Sequence, residues 1–73
     1  MSSPKHKVGE TLLYTEDEEI YLFTVDSTNF SHDSESWTYS GTATKAEKDK
    51  DKWTPIGKPK IIMSASEDSL QDI

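Results

Sequence analysis

Apolar residues in this chain fall into short runs that are separated by polar stretches. The first two runs are Val8–Tyr14 and Ile20–Val25, and both are rich in β-branched, aliphatic and aromatic residues, which favours strands. A helix is the alternative, but the second run has apolar residues on both faces and is shorter than the roughly 12 residues that an isolated helix needs. We therefore predict a β-hairpin with its turn in the polar segment Thr15–Glu19.

The clearest alternation of apolar and polar positions lies between Trp37 and Thr44. One face would carry Trp37, Tyr39, Gly41 and Ala43, and the other would carry Thr38, Ser40, Thr42 and Thr44. A period of two residues indicates a strand with one buried face. Gly41 within it predicts a bulge or a close approach of another backbone segment.

Two polar segments are predicted to be exposed. Asp26–Ser36 is rich in Ser, Asn and Asp, whose side chains favour local turns, so we expect a loop. Lys45–Lys52 alternates in charge and fits either a helical turn or a hairpin tip. Two further short strands are expected, at Trp53–Ile56 and Lys60–Met63. Since proline cannot donate to a sheet ladder, Pro55 and Pro59 place at least one of these strands at an edge or a bend.

A length of 73 residues allows one domain. We expect residues 1–6 to be a flexible amino terminus, residues 7–63 a single β domain, and residues 64–73 an acidic, disordered tail. A few short strands without a convincing helix hide an apolar face only if the sheet curls. The predicted fold class is all-β, a small antiparallel barrel or a strongly bent meander of about five strands.

The charge of the chain limits its partners. The net charge is −6, all eight basic residues are lysine, and no basic residue lies between positions 8 and 44. Sequence-specific nucleic-acid readers favour arginine, and non-specific binders need a contiguous cationic face. We therefore expect no complex with duplex nucleic acid. The alternative is a small patch for single strands at Lys45–Lys60, with Trp53 as a stacking platform.

The chain contains no cysteine and only two histidines, His6 and His32. Small domains are usually stabilised by disulfides or a metal, so we expect this fold to be held by packing alone or to gain stability from a partner, with no metal and no cofactor. No apolar leader and no stretch of membrane-spanning length are visible, so we expect a cytoplasmic protein with no membrane partner.

The opening hairpin resembles a known architecture. Lys7–Tyr14 followed by Ile20–Val25 is similar to the first two strands of SH3-like barrels of the Tudor and KOW kind. The resemblance covers about 20 of the 73 residues and implies an SH3-like barrel. In Tudor-like domains an aromatic cage with an acidic residue captures a methylated Lys or Arg through cation–π attraction. The resemblance implies such a cage at Tyr14, Tyr21, Tyr39 and Asp26.

Most aromatic rings in so small a chain are expected to form the core. The two that are most open to a binding role are Phe30, in its polar segment, and Trp53, beside the lysine-rich stretch. The predicted binding residues are therefore Tyr14, Tyr21, Asp26, Phe30, Tyr39 and Trp53.

Catalysis and metal binding are not expected. His32 and Asp33 lie near serines, but the chain has no glycine-rich oxyanion loop to complete a nucleophilic site. The carboxylates of Glu16–Glu19 could bind a divalent cation, yet consecutive side chains in a turn point to different sides. We interpret them as a solvated turn.

Three functions remain open from the sequence. The use of lysine alone as the basic residue, with many Ser, Thr, Asp and Ile, is typical of an AT-rich coding sequence and suggests a low-GC bacterium or its phage. The first function is a non-catalytic binding module of such a source, which docks a protein or peptide through loop and aromatic residues. The second is an acidic decoy that imitates nucleic acid, and the third is a small structural subunit of a larger assembly. A net charge of −6 favours a cationic protein partner in the first two cases.

Overall fold

The computed structural model describes residues 3–73 and consists of β-structure with a single short 3₁₀ turn. Its strands are β1 (Thr11–Glu16), β2 (Glu19–Ser31), β3 (Ser36–Asp49), β4 (Lys52–Pro55), β5 (Lys60–Ser66) and β6 (Leu70–Gln71), and the 3₁₀ turn is Glu67–Ser69. All pairings are antiparallel. The predicted all-β, antiparallel fold class is confirmed.

The order of the strands brings the two sides of the sheet back towards each other. The order is β4-β3-β2-β1-β6, and β5 pairs with β3 on the same side as β4. β5 and β6 are consecutive and are joined only by the three-residue 3₁₀ turn, which rises about 6 Å. The chain therefore passes from the β3 edge to the β1 edge within one turn. This strong curvature is compatible with a small SH3-like barrel.

The β1–β2 hairpin confirms the predicted pairing of the first two apolar runs. Glu16 lies opposite Glu19, so the turn has only two residues, Asp17 and Glu18. Both have positive φ, at 50° and 67°, as in the type I′ turn that matches the twist of a hairpin. Asn-Gly is the usual sequence of such a turn, so these two residues carry backbone strain.

The predicted loop at Asp26–Ser36 is wrong, because most of this segment is paired. β2 continues to Ser31 after a bulge between Val25 and Ser27, and the turn is confined to residues 32–35. The rings of Phe30 and Trp37 face each other across the two strands at 5.3 Å. Cross-strand aromatic pairing overrides the local preference of the polar residues for turns.

β3 is longer than the sequence indicated and carries a second hairpin at its far end. Its last four residues pair with β4, so that Lys48 faces Trp53. The Lys45–Lys52 segment is therefore a hairpin arm rather than a helical turn. β4 contains Pro55 and pairs with β3 alone within residues 3–73, which confirms an edge position for a proline-containing strand. The β3–β4 hairpin and the outer part of the β2–β3 hairpin, beyond the bulge, form two arms. These arms account for the elongated shape, 39 × 22 × 21 Å.

The core lies inside the curved sheet. It contains Leu12, Tyr14, Tyr21, Phe23, Val25, Tyr39, Ala43, Ala65 and Leu70, with Trp37 and Ile62 packed against it. Gly41 is required at its position because a Cβ there would overlap the carbonyl oxygen of Thr24. The predicted close backbone approach at Gly41 is thus confirmed. On β5, which pairs with β3 here, one extra residue forms a bulge between Ile62 and Ala65. Ser64 lies in this bulge and has a φ of 60°.

The carboxyl-terminal segment is not the disordered tail that the sequence predicted. β5 extends to Ser66, the 3₁₀ turn follows, and β6 pairs with β1 so that Leu70 faces Tyr14. Leu70 is only 6% exposed. The prediction failed because it rested on the average polarity of the segment. The burial of Leu70 depends instead on its contact with β1.

The amino-terminal segment is also attached, although residues 1–6 were expected to be flexible. Residues 1 and 2 lie outside the described part of the chain. His6 is buried, and its backbone N–H and that of Lys5 both donate to the hydroxyl of Tyr39. Gly9 then donates to the carbonyl of Val25 at 2.8 Å. These bonds fix the segment against β2 and β3.

Candidate functional site

The four residues of the expected cage do not converge on one pocket. Tyr14 and Tyr21 are neighbours, with ring centroids 6.0 Å apart, and both are buried. Tyr21 lies opposite Lys45, whereas Tyr39 lies six positions earlier on β3, about 20 Å along the strand. Asp26 is exposed at the β2 bulge.

A network of charged and hydroxyl groups closes the core at the Tyr14–Tyr21 end. The Tyr14 hydroxyl donates to Glu16 at 2.7 Å, and the Tyr21 hydroxyl donates to Glu19 at 3.0 Å. The Lys60 Nζ donates to the Tyr21 hydroxyl at 3.3 Å and lies 4.5 Å from the centroid of its ring. The chain's own lysine therefore takes the cation–π position that a cage would offer to a ligand.

The pKa shifts at this end follow from the same contacts. Burial, followed by the bond to Glu16, raises the pKa of Tyr14 to about 12. The hydrogen bond from Tyr14 lowers the pKa of the Glu16 carboxyl. The bond from Lys45 lowers the pKa of Glu19 and correspondingly raises that of Lys45. These charged and hydroxyl groups provide one another's hydrogen-bond partners. The network therefore indicates a structural role, in which it covers this end of the core.

The two remaining predicted residues lie on different hairpin arms. The Phe30 ring packs edge-on against Trp37 and, at 5.1 Å, against His32. Trp53 is half-buried beside Lys48 on the β3–β4 arm. Because the arms project from opposite ends of β3, Phe30 and Trp53 belong to separate surfaces.

An exposed apolar edge that the sequence did not single out lies on β5. Ile61 and Met63 are 78% and 77% exposed, whereas Ile62 between them packs against the core. Alternate residues of a strand share a face, so both side chains point outwards. β5 pairs with β3, and within residues 3–73 no strand pairs with its other edge. The only sequence signal was the Ile-Ile-Met run, which does not say which face is buried.

A cluster of potential metal ligands joins the two ends of the chain. The Nδ1 atom of His6 lies 2.8 Å from the Oε2 atom of Glu10. Potential ligand atoms of His6, Glu10 and Asp72 all lie within 4.8 Å of one another. Sequence reasoning missed this cluster because 66 positions separate His6 from Asp72, and no local spacing connects them.

Within the described part, the chain has no helix of the length and apolar character needed to cross a bilayer.

The comparisons with known proteins add no relative. Comparison of the sequence and fold with protein-family models, curated proteins and solved structures gives no match.

Proposed function

We propose that this protein is a non-catalytic binding module that takes up an extended segment of a partner protein along the free edge of β5. The observation that carries the proposal is the pair Ile61 and Met63, which are the most exposed of the large apolar residues and lie on that edge strand. An unpaired edge offers backbone donors and acceptors to an incoming strand. The alternating side chains offer it apolar contacts.

The exposed side chains of Ile61 and Met63 would each contribute hydrophobic free energy if a partner covered them. Complete burial of one such side chain contributes about 1.5 to 3 kcal/mol. Exposed edges are normally protected by charge or proline because they promote association. β5 has Lys60 at its start, but Lys60 lies over the Tyr21 ring, and the outward positions Ile61 and Met63 are apolar. A partner strand with apolar residues two positions apart would cover one flank of both side chains and recover part of this free energy.

The curved sheet is also compatible with a more specific fold. We infer an SH3-like barrel of the Tudor and KOW kind, supported by the opening hairpin and by the 3₁₀ turn that leads into a last strand paired with β1. The acidic net charge of −6 supports a partner segment with positive charge beside its apolar positions. A cytoplasmic location is part of the proposal and rests on the absence of cysteine.

The test uses a synthetic octapeptide of alternating Val and Lys, with a peptide of the same composition in two blocks as its control. We expect saturable binding of the alternating peptide, with the largest amide NMR shifts in β5. Ile61→Lys and Met63→Lys should each weaken binding at least 10-fold, because charges on an edge oppose strand addition. Ile73→Lys is the matched control at another exposed isoleucine and should bind normally. Equal binding of both peptides, or shifts centred on the hairpin arms, would contradict the proposal.

The same edge supports a second candidate function, a structural subunit that pairs with further copies of the chain. β4 also has only one partner strand among the described residues, so two edges are open to neighbouring molecules. Sedimentation at increasing concentration distinguishes the two functions. A dimer that Met63→Lys abolishes selects the subunit, whereas a monomer that binds the alternating peptide selects the module.

A further inference from the structure

We propose that His6, Glu10 and Asp72 bind one divalent transition-metal ion of the zinc type, which clasps the amino-terminal segment to the last strand. This inference is independent of the β5 edge and goes beyond the proposed binding function. It begins from three ligand atoms within 4.8 Å of one another, contributed by both ends of the chain.

The imidazole of His6 is held in place before any metal binds. Only 8% of the residue is exposed. Its ring packs edge-on against Tyr39 with centroids 5.5 Å apart, and its backbone N–H donates to the Tyr39 hydroxyl. Preorganisation of this kind lowers the entropic cost of ligation, and a packed outer shell is what orients a metal-binding histidine.

Glu10 is equally well positioned, since its backbone is bonded on both sides. Its N–H donates to the carbonyl of Lys7 at 3.0 Å, and its carbonyl accepts the N–H of Val25 at 3.0 Å. The carboxylate thus faces His6 from a fixed backbone. Asp72 follows Gln71, which pairs with Leu13 of β1, and its exposed side chain is free to adjust.

The ligand set selects the class of ion. Zinc binds imidazole nitrogen and carboxylate oxygen at about 2.0 to 2.2 Å, which sets its ligand atoms roughly 3 to 3.5 Å apart. The 2.8 Å between His6 and Glu10 is already close to this value, so a shift of about 1 to 1.5 Å by the exposed Asp72 completes the site. Calcium and magnesium prefer all-oxygen sites and would be poor competitors. Two carboxylates and a neutral imidazole balance the charge of a divalent ion, and water takes the fourth position.

A clasp at this place has a structural reason. β6 has two residues, and its pairing with β1 is what holds the carboxyl-terminal end. The chain has no cysteine, so a disulfide cannot link its ends. A metal that binds the folded state and not the unfolded chain stabilises the fold by an amount that grows with the logarithm of the free metal concentration relative to the dissociation constant.

The experiment titrates Zn²⁺ into the full-length, EDTA-treated protein and follows heat, the thermal midpoint and the imidazole NMR signals. We expect one site, a shift of the His6 ring signals, and a rise in midpoint of roughly 11 to 22 °C when zinc reaches 100 times its dissociation constant. Asp72→Asn should weaken binding at least 10-fold while leaving the metal-free midpoint unchanged, because Asp72 is exposed. His6→Gln should abolish binding.

The matched controls are His32→Gln and Asp33→Asn, a second His–Asp pair in the exposed β2–β3 turn. Both should bind zinc with the affinity of the unmodified protein. Asp72→Asn supplies the decisive measurement, since it does not depend on whether His6→Gln folds. Zinc affinity that is unchanged in Asp72→Asn, loss of binding in His32→Gln, or a midpoint that zinc does not raise would each overturn the proposal.

Discussion

Replacement of Tyr39 by phenylalanine tests whether one buried hydroxyl holds both ends of the chain. Tyr39 is 0% exposed. Its hydroxyl donates to Glu67 in the 3₁₀ turn and accepts the backbone N–H groups of Lys5 and His6 at 3.1 and 3.4 Å. Three separate segments therefore meet at one oxygen atom. Burial and the bond to Glu67 raise the pKa of Tyr39 to about 12, which is consistent with a neutral hydroxyl at pH 7.

The cost of Tyr39→Phe follows from the groups that lose a partner. The Lys5 N–H keeps a second acceptor, an oxygen of Glu67 at 3.2 Å, so its loss is small. The His6 N–H is buried and has no second acceptor within residues 3–73. An unsatisfied buried donor costs about 1 to 3 kcal/mol, and a bond to a carboxylate contributes about 1.5 to 3 kcal/mol. Because Glu67 is partly solvated, we expect a total loss of about 2 kcal/mol, or roughly 8 to 16 °C in a domain of this size.

Tyr14→Phe is the matched control for this measurement. The Tyr14 hydroxyl bonds to Glu16 alone, at 2.7 Å, and water can replace it on that partly exposed carboxylate. We expect a loss of about 0.5 to 1 kcal/mol. Urea unfolding of both variants gives the difference, and hydrogen exchange at the His6 amide reports on docking. Equal losses in the two variants, or a loss below about 0.5 kcal/mol in Tyr39→Phe, would refute the reasoning.

Three further predictions concern the carboxyl terminus, the first turn and the pH dependence of stability. Leu70→Ala should cost about 3 kcal/mol in urea unfolding, because Leu70 is 6% exposed, and a loss below about 1 kcal/mol would remove it from the core. Glu18→Gly should stabilise the fold by about 0.5 to 1 kcal/mol, since φ is 67° at that position, and an unchanged or lower thermal midpoint would contradict this explanation. The pKa of Tyr14 rises from 10.0 to about 12 on folding, so its contribution is complete below pH 10 and is lost as the pH rises towards 12. Tyr14→Phe should flatten that decline in the urea midpoint, and parallel curves for the two proteins would argue against the link.

Local pattern was sufficient for the elements whose partners are near in sequence. The β1–β2 hairpin was predicted because both runs and their turn lie within 20 residues. The alternation from Trp37 onwards correctly marked a strand, and Gly41 was correctly identified as a point of close backbone approach. In each case the period of two or the absence of a side chain carries the information directly.

Contacts between strands that are distant in sequence account for the two boundaries that were predicted incorrectly, the end of β2 and the start of the carboxyl-terminal tail. β2 continues beyond Asp26 because Phe30 faces Trp37, and the benefit of that pair does not depend on the polar residues around it. Residues 64–73 are ordered because Leu70 packs opposite Tyr14 of β1. Average composition cannot report such a contact, since it depends on a strand more than 50 positions earlier.

Composition and short-range periodicity were enough to predict the class of the fold, its acidic surface and its opening hairpin. The pairing of strands that are distant in sequence sets which apolar residues of β5 stay exposed and which ionisable groups meet. Ile62 packs against the core and Ile61 lies in solvent, although both are isoleucines of the same strand. His6 and Asp72 converge because β6 pairs with β1 while the amino-terminal segment binds β2 and β3. Long-range pairing of this kind is a property of the whole chain, so no local pattern could have revealed it.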